Sequence, residues 1–247
     1  MFVLLAKNPV PTKWNLNFDL KPTSDVPIIK FSLKFSQKYL DKRSLILEIG
    51  CGTGSYTCLI DRINCLGIDL DFEVVKIAKK YCSNSNFIVA SALNLPFRAE
   101  IFDLICMWTV LEEIPSGAER QVITEIRKIL TFNGVLLLSV YTNHILSKIF
   151  DPRYIFKGTR HHDRKKFFNL ISECGLVINE YTVRGGLNTL VTNFLVHFYK
   201  QVLKKKDGTI KKYFEKKSAN EINSGVGGLV YMFIAALKTN NSDSKLL

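Results

Sequence analysis

Three of five consecutive positions, Gly50, Gly52 and Gly54, are glycine, directly behind the apolar run 45–49 and ahead of a helical stretch from Ser55. Glycine weakens regular structure and is useful where backbone takes unusual dihedrals or lies close against a ligand. A strand that ends in such a loop and opens a helix presents free amide donors at the helix N-terminus, which suits an anion or a carboxylate. The loop therefore implies both a strand-to-helix unit and a ligand.

The surrounding pattern extends that unit. From Leu45 onward apolar, β-branched runs alternate with helical periodicity, which is the signature of βαβ units and a parallel sheet in an α/β domain. Strands are expected at 45–49, 65–70, 86–90, 101–108, 135–141, 176–183 and 230–237, and helices at about 55–63, 71–82, 121–130 and 163–174. Asn133-Gly134 turns the chain into the fifth strand, and Gly175 stands where a C-cap glycine stops a helix. Upstream, 1–23 reads as an irregular arm. Pro27 suits the first turn of a helix with Ile28, Phe31, Phe35 and Tyr39 on its apolar face, placed to cap the site.

A chain of 247 residues, 47% hydrophobic, can bury one full core but hardly two. The expected division is arm and cap helix at 1–43, core at 44–186, a helical insert at 187–224, the last core strand at 225–238 and a disordered tail at 239–247. No run of about 18 apolar residues is present, and the N-terminus lacks a secretory signal pattern, so a cytoplasmic location is expected. The six cysteines, Cys51, Cys58, Cys65, Cys82, Cys106 and Cys174, form no CxxC pair and are read as reduced core residues, with no metal site.

Strand two ends in Asp69, nineteen residues after Gly50. An acid at about that separation accepts hydrogen bonds from ribose hydroxyls, so loop and acid together point to an adenosine-type cofactor. A dinucleotide fits less well, because G-x-G-x-x-G requires its third glycine further on than Gly54.

Four segments, "LEIGCGTG", "GIDLD", "LNLPFRAEIFDLICMWTVLEEI" and "IRKILTFNGVLLLSVY", follow in order between Leu45 and Tyr141. In them the chain resembles the class I S-adenosylmethionine-dependent methyltransferases, in the broad small-molecule group called type 11. The resemblance implies a Rossmann-like, doubly wound, seven-stranded and mostly parallel sheet with an antiparallel last strand. It also implies S-adenosylmethionine as cofactor and S-adenosylhomocysteine as product. Glu48 would lie beneath the loop near the cofactor's amino group. Gly50, Cys51, Gly52 and Gly54 would admit the methionine portion, Asp69 would bind the ribose and Leu70 would flank the adenine. Where the family has an acid after strand three this chain has Ser91, so Ser91 or the backbone around Ala92 and Leu93 would recognise the adenine. Met107 and Trp108 would close the cofactor site from strand four. Trp108 has a second reading as a core residue. After strand four the family's common "LEH" is replaced by Leu111-Glu112-Glu113.

Methyl transfer from a sulfonium mainly needs alignment, and a base only if the acceptor must lose a proton. Candidates on the loops after strands four and five are Glu113, Tyr141, His144, His161 and His162, with the alternative that "HHD" merely starts a helix capped by Asp163.

The net charge of +12 raises nucleic-acid binding, but +6 of it is concentrated between Lys200 and Lys217. The strand-four position that carries an Asn- or Asp-Pro-Pro-aromatic motif in base-methylating enzymes reads Met107-Trp108-Thr109. "DPRY", 151–154, follows strand five instead. Ahead of the lysines, Leu190, Phe194, Leu195 and Phe198 stand at helical spacing. The 187–217 segment can thus be a lid, a peripheral membrane element or a protein interface. The expected activity is O-methylation, less readily N-methylation, of a small or lipid-linked, partly apolar acceptor. The alternatives are a non-catalytic S-adenosyl-ligand-binding protein at a membrane or partner, and an RNA methyltransferase.

Overall fold

The computed structural model describes residues 26–41, 44–60, 64–151, 154, 158–201 and 209–238. The expected arm and tail and the lysines 204–206 lie outside these.

The strands are β1 (Ile46–Ile49), β2 (Cys65–Asp69), β3 (Asn86–Val89), β4 (Phe102–Trp108), β5 (Leu130–Tyr141), β6 (Leu176–Arg184) and β7 (Tyr231–Lys238). They form one sheet in the order β3-β2-β1-β4-β5-β7-β6. Strands β3 to β5 pair in parallel, while β7 runs antiparallel to both β5 and β6. All four residues of β1 are buried, which is why this central strand reads as a continuous apolar run apart from Glu48. The carboxyl ends of β1, β2, β4 and β5 then share one rim of the sheet, where ligands of doubly wound folds bind.

The helices are α1 (Pro27–Ser36), α2 (Ser55–Ile60), α3 (Phe72–Tyr81), α4 (Glu119–Ile129), α5 (Ile145–Ile149), α6 (Arg164–Glu173), α7 (Leu187–Gln201) and α8 (Thr209–Ser224). Val122, Ile123, Ile126 and Ile129 make the buried stripe of α4, and Phe167 and Ile171 that of α6; both pack with Ile49, Met107 and Leu138 on one face of the sheet. The opposite face holds Phe31 and Phe35 of α1, Tyr56 of α2, Leu190 of α7 and Ile222 of α8, gathered around Trp108, Tyr141, Tyr231 and Phe233. Among the described residues no helix is long and apolar enough to cross a membrane.

Two expectations need correction. The fifth strand begins at Leu130, not after the turn, because Asn133 takes φ +62° within continuing sheet pairing and leaves an irregularity opposite Phe102 and Leu104. Not all six cysteines are free thiols: Cys58 and Cys82 are joined as a disulfide with Cα atoms 5.3 Å apart, while Cys51, Cys65, Cys106 and Cys174 are free and buried. The pairing escapes a spacing argument because it joins α2 to the end of α3, neighbours only in the fold.

Candidate cofactor and acceptor site

The glycine loop is fastened to the strand beside it. The amides of Gly50 and Cys51 both donate to the Ile68 carbonyl of β2, at 2.8 and 2.9 Å. Gly50 has φ +74°, and a side chain there would run into Val110, which follows β4. Gly52 has φ +52°, and a Cβ there would meet nothing within 4 Å. The loop is thus tight against protein at its start and bare at its middle, where a ligand can lie against backbone.

Two carboxylates flank that bare surface. Asp69, at the end of β2, accepts from the Gly52 amide at 2.8 Å and from the Asp71 amide at 3.0 Å. Glu48 lies buried beneath the loop and accepts from the amide of Thr57 at 3.1 Å and from its hydroxyl. Burial pushes the Glu48 carboxyl up to about 8, against the opposing hydrogen bonds from Thr57. A buried acid held neutral in this way is poised to ionise when a cation approaches. Burial likewise pushes the Cys51 thiol up, aided by Glu48, so it is no nucleophile.

The remaining residues expected at the cofactor take distinct places. Leu70 is exposed beyond β2, an uncovered apolar surface beside Asp69. Ser91 spends its hydroxyl on the Leu93 amide at 3.2 Å, shaping a turn in which Ala92 and Leu93 are half-buried. Met107 is fully buried in the core on the α4 and α6 face. Trp108 points to the other face, edge-on to Tyr56 with ring centroids 5.2 Å apart, and its indole N–H is buried without a hydrogen-bond partner among the described residues.

The acid–base candidates divide by how far they are already committed. His161 has no exposed side-chain surface: Nδ1 lies 2.9 Å from the Thr142 carbonyl and Nε2 lies 3.2 Å from the carboxylate of buried Asp151. His144 accepts from the Leu146 amide and caps α5. His162 packs on Phe167, and its Nε2 has no partner among the described residues. Burial, with Arg160 alongside, lowers its pKa to about 4, which leaves a neutral ring at pH 7. Asp163 caps α6 through the Lys166 amide. Tyr141 is buried, its hydroxyl 3.4 Å from that of Tyr231, which in turn donates to Asn193 of α7 at 3.1 Å.

Glu113 is exposed, whereas its neighbour Glu112 is buried and accepts from the Tyr141 amide at 2.7 Å. Sequence reasoning missed Glu112, and also Thr109, a β-branched residue at φ +53° whose amide is held by the carbonyl and hydroxyl of Ser139. Such strained backbone concentrates at functional sites. Neither leaves a local signal, since a double glutamate and a lone threonine are ordinary in loops.

The family described as "Methyltransferase domain" matches residues 47–138, from β1 into β5. The chain is 28% identical over 138 residues to uncharacterized protein MJ1252 of Methanocaldococcus jannaschii, covering 56% of this chain and 50% of that one. It is 32% identical over 111 residues to "Probable tRNA methyltransferase 9B" of Bos taurus, covering 44% of this chain and 24% of that one. The chain thus spans half or less of these two relatives. The structure of phosphoethanolamine N-methyltransferase 2 of Haemonchus contortus, in complex with S-adenosyl-L-methionine, aligns with TM-score 0.60 at 14% identity over 85% of this chain and 53% of that one. That likeness is one of fold. The residues present are compatible with S-adenosylmethionine: Gly52 offers open backbone, the neutral buried acid Glu48 would face its ammonium, and Asp69 would meet its ribose. The domain match over residues 47–138, the sheet order and this loop geometry together support a class I S-adenosylmethionine-dependent methyltransferase.

Proposed function

We propose that this protein transfers a methyl group to oxygen on a small or lipid-linked, partly apolar acceptor. The observation that carries the reading is the bare glycine loop between Glu48 and Asp69, beside an aromatic cluster at the ends of β4 and β5. When bound, S-adenosylmethionine supplies a methyl group on a sulfonium that is already a good leaving group. The protein's part is alignment, and orientation is worth roughly 7 to 11 kcal/mol in favourable cases. Trp108, Tyr56, Tyr141 and Tyr231 would form the apolar wall for the acceptor, with α1 and α7 over them. The unpaired Trp108 N–H would donate to an acceptor oxygen. His162 keeps its buried Nε2 without a hydrogen bond among the described residues, so a base, where the acceptor needs one, is best sought there.

A tRNA acceptor is the second reading, supported by the name of the bovine relative and by the lysines of 200–217. The test is calorimetric titration with S-adenosylhomocysteine, with Asp69→Ala as control, followed by radiolabelled methyl transfer to phenolic and lipid extracts and to tRNA. The proposal expects cofactor binding lost in Asp69→Ala and label in the small-molecule or lipid fraction. Label only in tRNA establishes the second reading. Tight binding without transfer to any acceptor favours a non-catalytic ligand-binding role.

A further inference from the structure

A groove of about 450 Å³ runs between α1, β6 and α8, away from the glycine loop. Phe31 and Phe35 of α1 line its apolar side, and Lys34, Lys38 and Arg184 supply cations. Glu180 is the acid among the described lining residues, and it is spent on Lys38 in an ion pair. That leaves Lys34 and Arg184 without a counter-charge in the groove.

Arg184 is the unusual member. Its guanidinium carbon lies over the Phe31 ring, 4.8 Å from the centroid, a cation–π contact that holds the fork against the apolar side of the groove. Among the described residues its side chain makes no hydrogen bond or ion pair, and Nε is buried from water. A buried donor left unmet costs free energy that a bound acceptor would recover. Gly225, at φ +77°, makes room for this pose, because a Cβ there would overlap Nη1. A planar, oriented and unpaired guanidinium matches the two oxygens of a phosphate or carboxylate. The volume lies in the range of small-molecule sites, roughly 300 to 1,000 Å³.

We propose that this groove is a binding site for a small molecule bearing a phosphate or carboxylate beside an apolar part, with Arg184 as the anion fork, Lys34 as supporting charge and Phe35 against the apolar part. The site stands apart from the cofactor loop and does not depend on which acceptor is methylated.

Titration of the full chain with phenyl phosphate, followed by calorimetry, tests it. Saturable 1:1 binding is expected, tighter than for inorganic phosphate or phenol. Arg184→Gln should weaken it about tenfold or more, the cost of a charge-assisted hydrogen bond. Gly225→Ala should weaken it with all charges intact, and S-adenosylhomocysteine affinity should be unchanged in both variants, which shows that they fold. Absent binding, or binding equally tight in Arg184→Gln, overturns the proposal. Vesicles of phosphatidylcholine with phosphatidic acid identify the source. Association lost in Arg184→Gln and competed by phenyl phosphate places the phosphate on a lipid headgroup; phenyl phosphate binding without vesicle association places it on a soluble ester. Either result keeps the site.

Discussion

The carboxylate of Glu221 in α8 accepts the backbone amide of Thr189 at 2.8 Å and its hydroxyl at 2.9 Å, closing the N-terminus of α7 from 32 residues away. The same carboxylate takes the amides of Gly186 and Asn188, at 2.9 and 3.0 Å. An anion at the first turn of a helix meets its unsatisfied donors, and one residue thereby ties together the two helices that cover the aromatic cluster.

Glu221→Ala should loosen α7 from α8 before the sheet unfolds, by about 1 to 3 kcal/mol. Hydrogen exchange should rise at the amides of Gly186, Asn188 and Thr189 with β4 and β5 unchanged. Burial alone would raise this carboxyl, but the hydrogen bonds from Asn188 and Thr189 outweigh it and hold it low. Its stabilising contribution is therefore complete above the ordinary carboxylate range and disappears as pH falls through the depressed native value. Exchange protection that is the same in variant and parent would refute the tie.

Glu48 gives the opposite pH dependence. With its native value raised to about 8, the folded state binds a proton that the unfolded state has lost above about 4.5, so stability declines as pH rises between these values. At about 1.4 kcal/mol per unit the penalty above pH 8 is several kcal/mol. Glu48→Gln should be the more stable protein at pH 9, yet bind S-adenosylhomocysteine at least about tenfold more weakly. In the parent, binding at pH 7 should release close to one proton, read as a dependence of calorimetric enthalpy on buffer ionisation. A buffer-independent enthalpy would exclude a protonated Glu48.

His162 titrates in the acid range. Its value is lowered to about 4 by burial and by Arg160, so between that and about 6.5 the unfolded state binds the extra proton. Stability gained above pH 6.5 is lost as pH falls toward 4. Urea midpoints at pH 7 and pH 5 should differ more in the parent than in His162→Gln; equal differences would contradict the burial.

Thr109 carries backbone strain of roughly 1 to 2 kcal/mol at its positive φ. Thr109→Gly should leave the urea midpoint unchanged or raise it, since relief of strain offsets the added freedom of the unfolded chain. A methyl-transfer rate that drops in this stable variant would show that the strained turn positions the site. A large loss of stability would show that the threonine side chain is needed for packing instead.

The α/β alternation, six of seven strands to within a residue or two, and the glycine loop with Asp69 were legible because each is written in contiguous sequence, whereas Glu48 was placed only by the family resemblance. Apolar period, glycine placement and an acid at a strand end act over a few residues, and parallel strands buried on both faces have little freedom to shift register. The early start of β5 was hidden because Asn133-Gly134 is a turn signal that the sheet absorbs at one left-handed residue.

What the tertiary structure decided is which polar groups are spent and which are left. It buried Glu112 and left Glu113 in water, locked His161 onto Asp151, joined Cys58 to Cys82, and left the Arg184 fork unpaired on Phe31. In each case the deciding partner comes from another element. Local propensity sets the direction of a strand or helix, but the burial that makes a hydrogen bond obligatory, or leaves a donor waiting, exists only once those elements have packed.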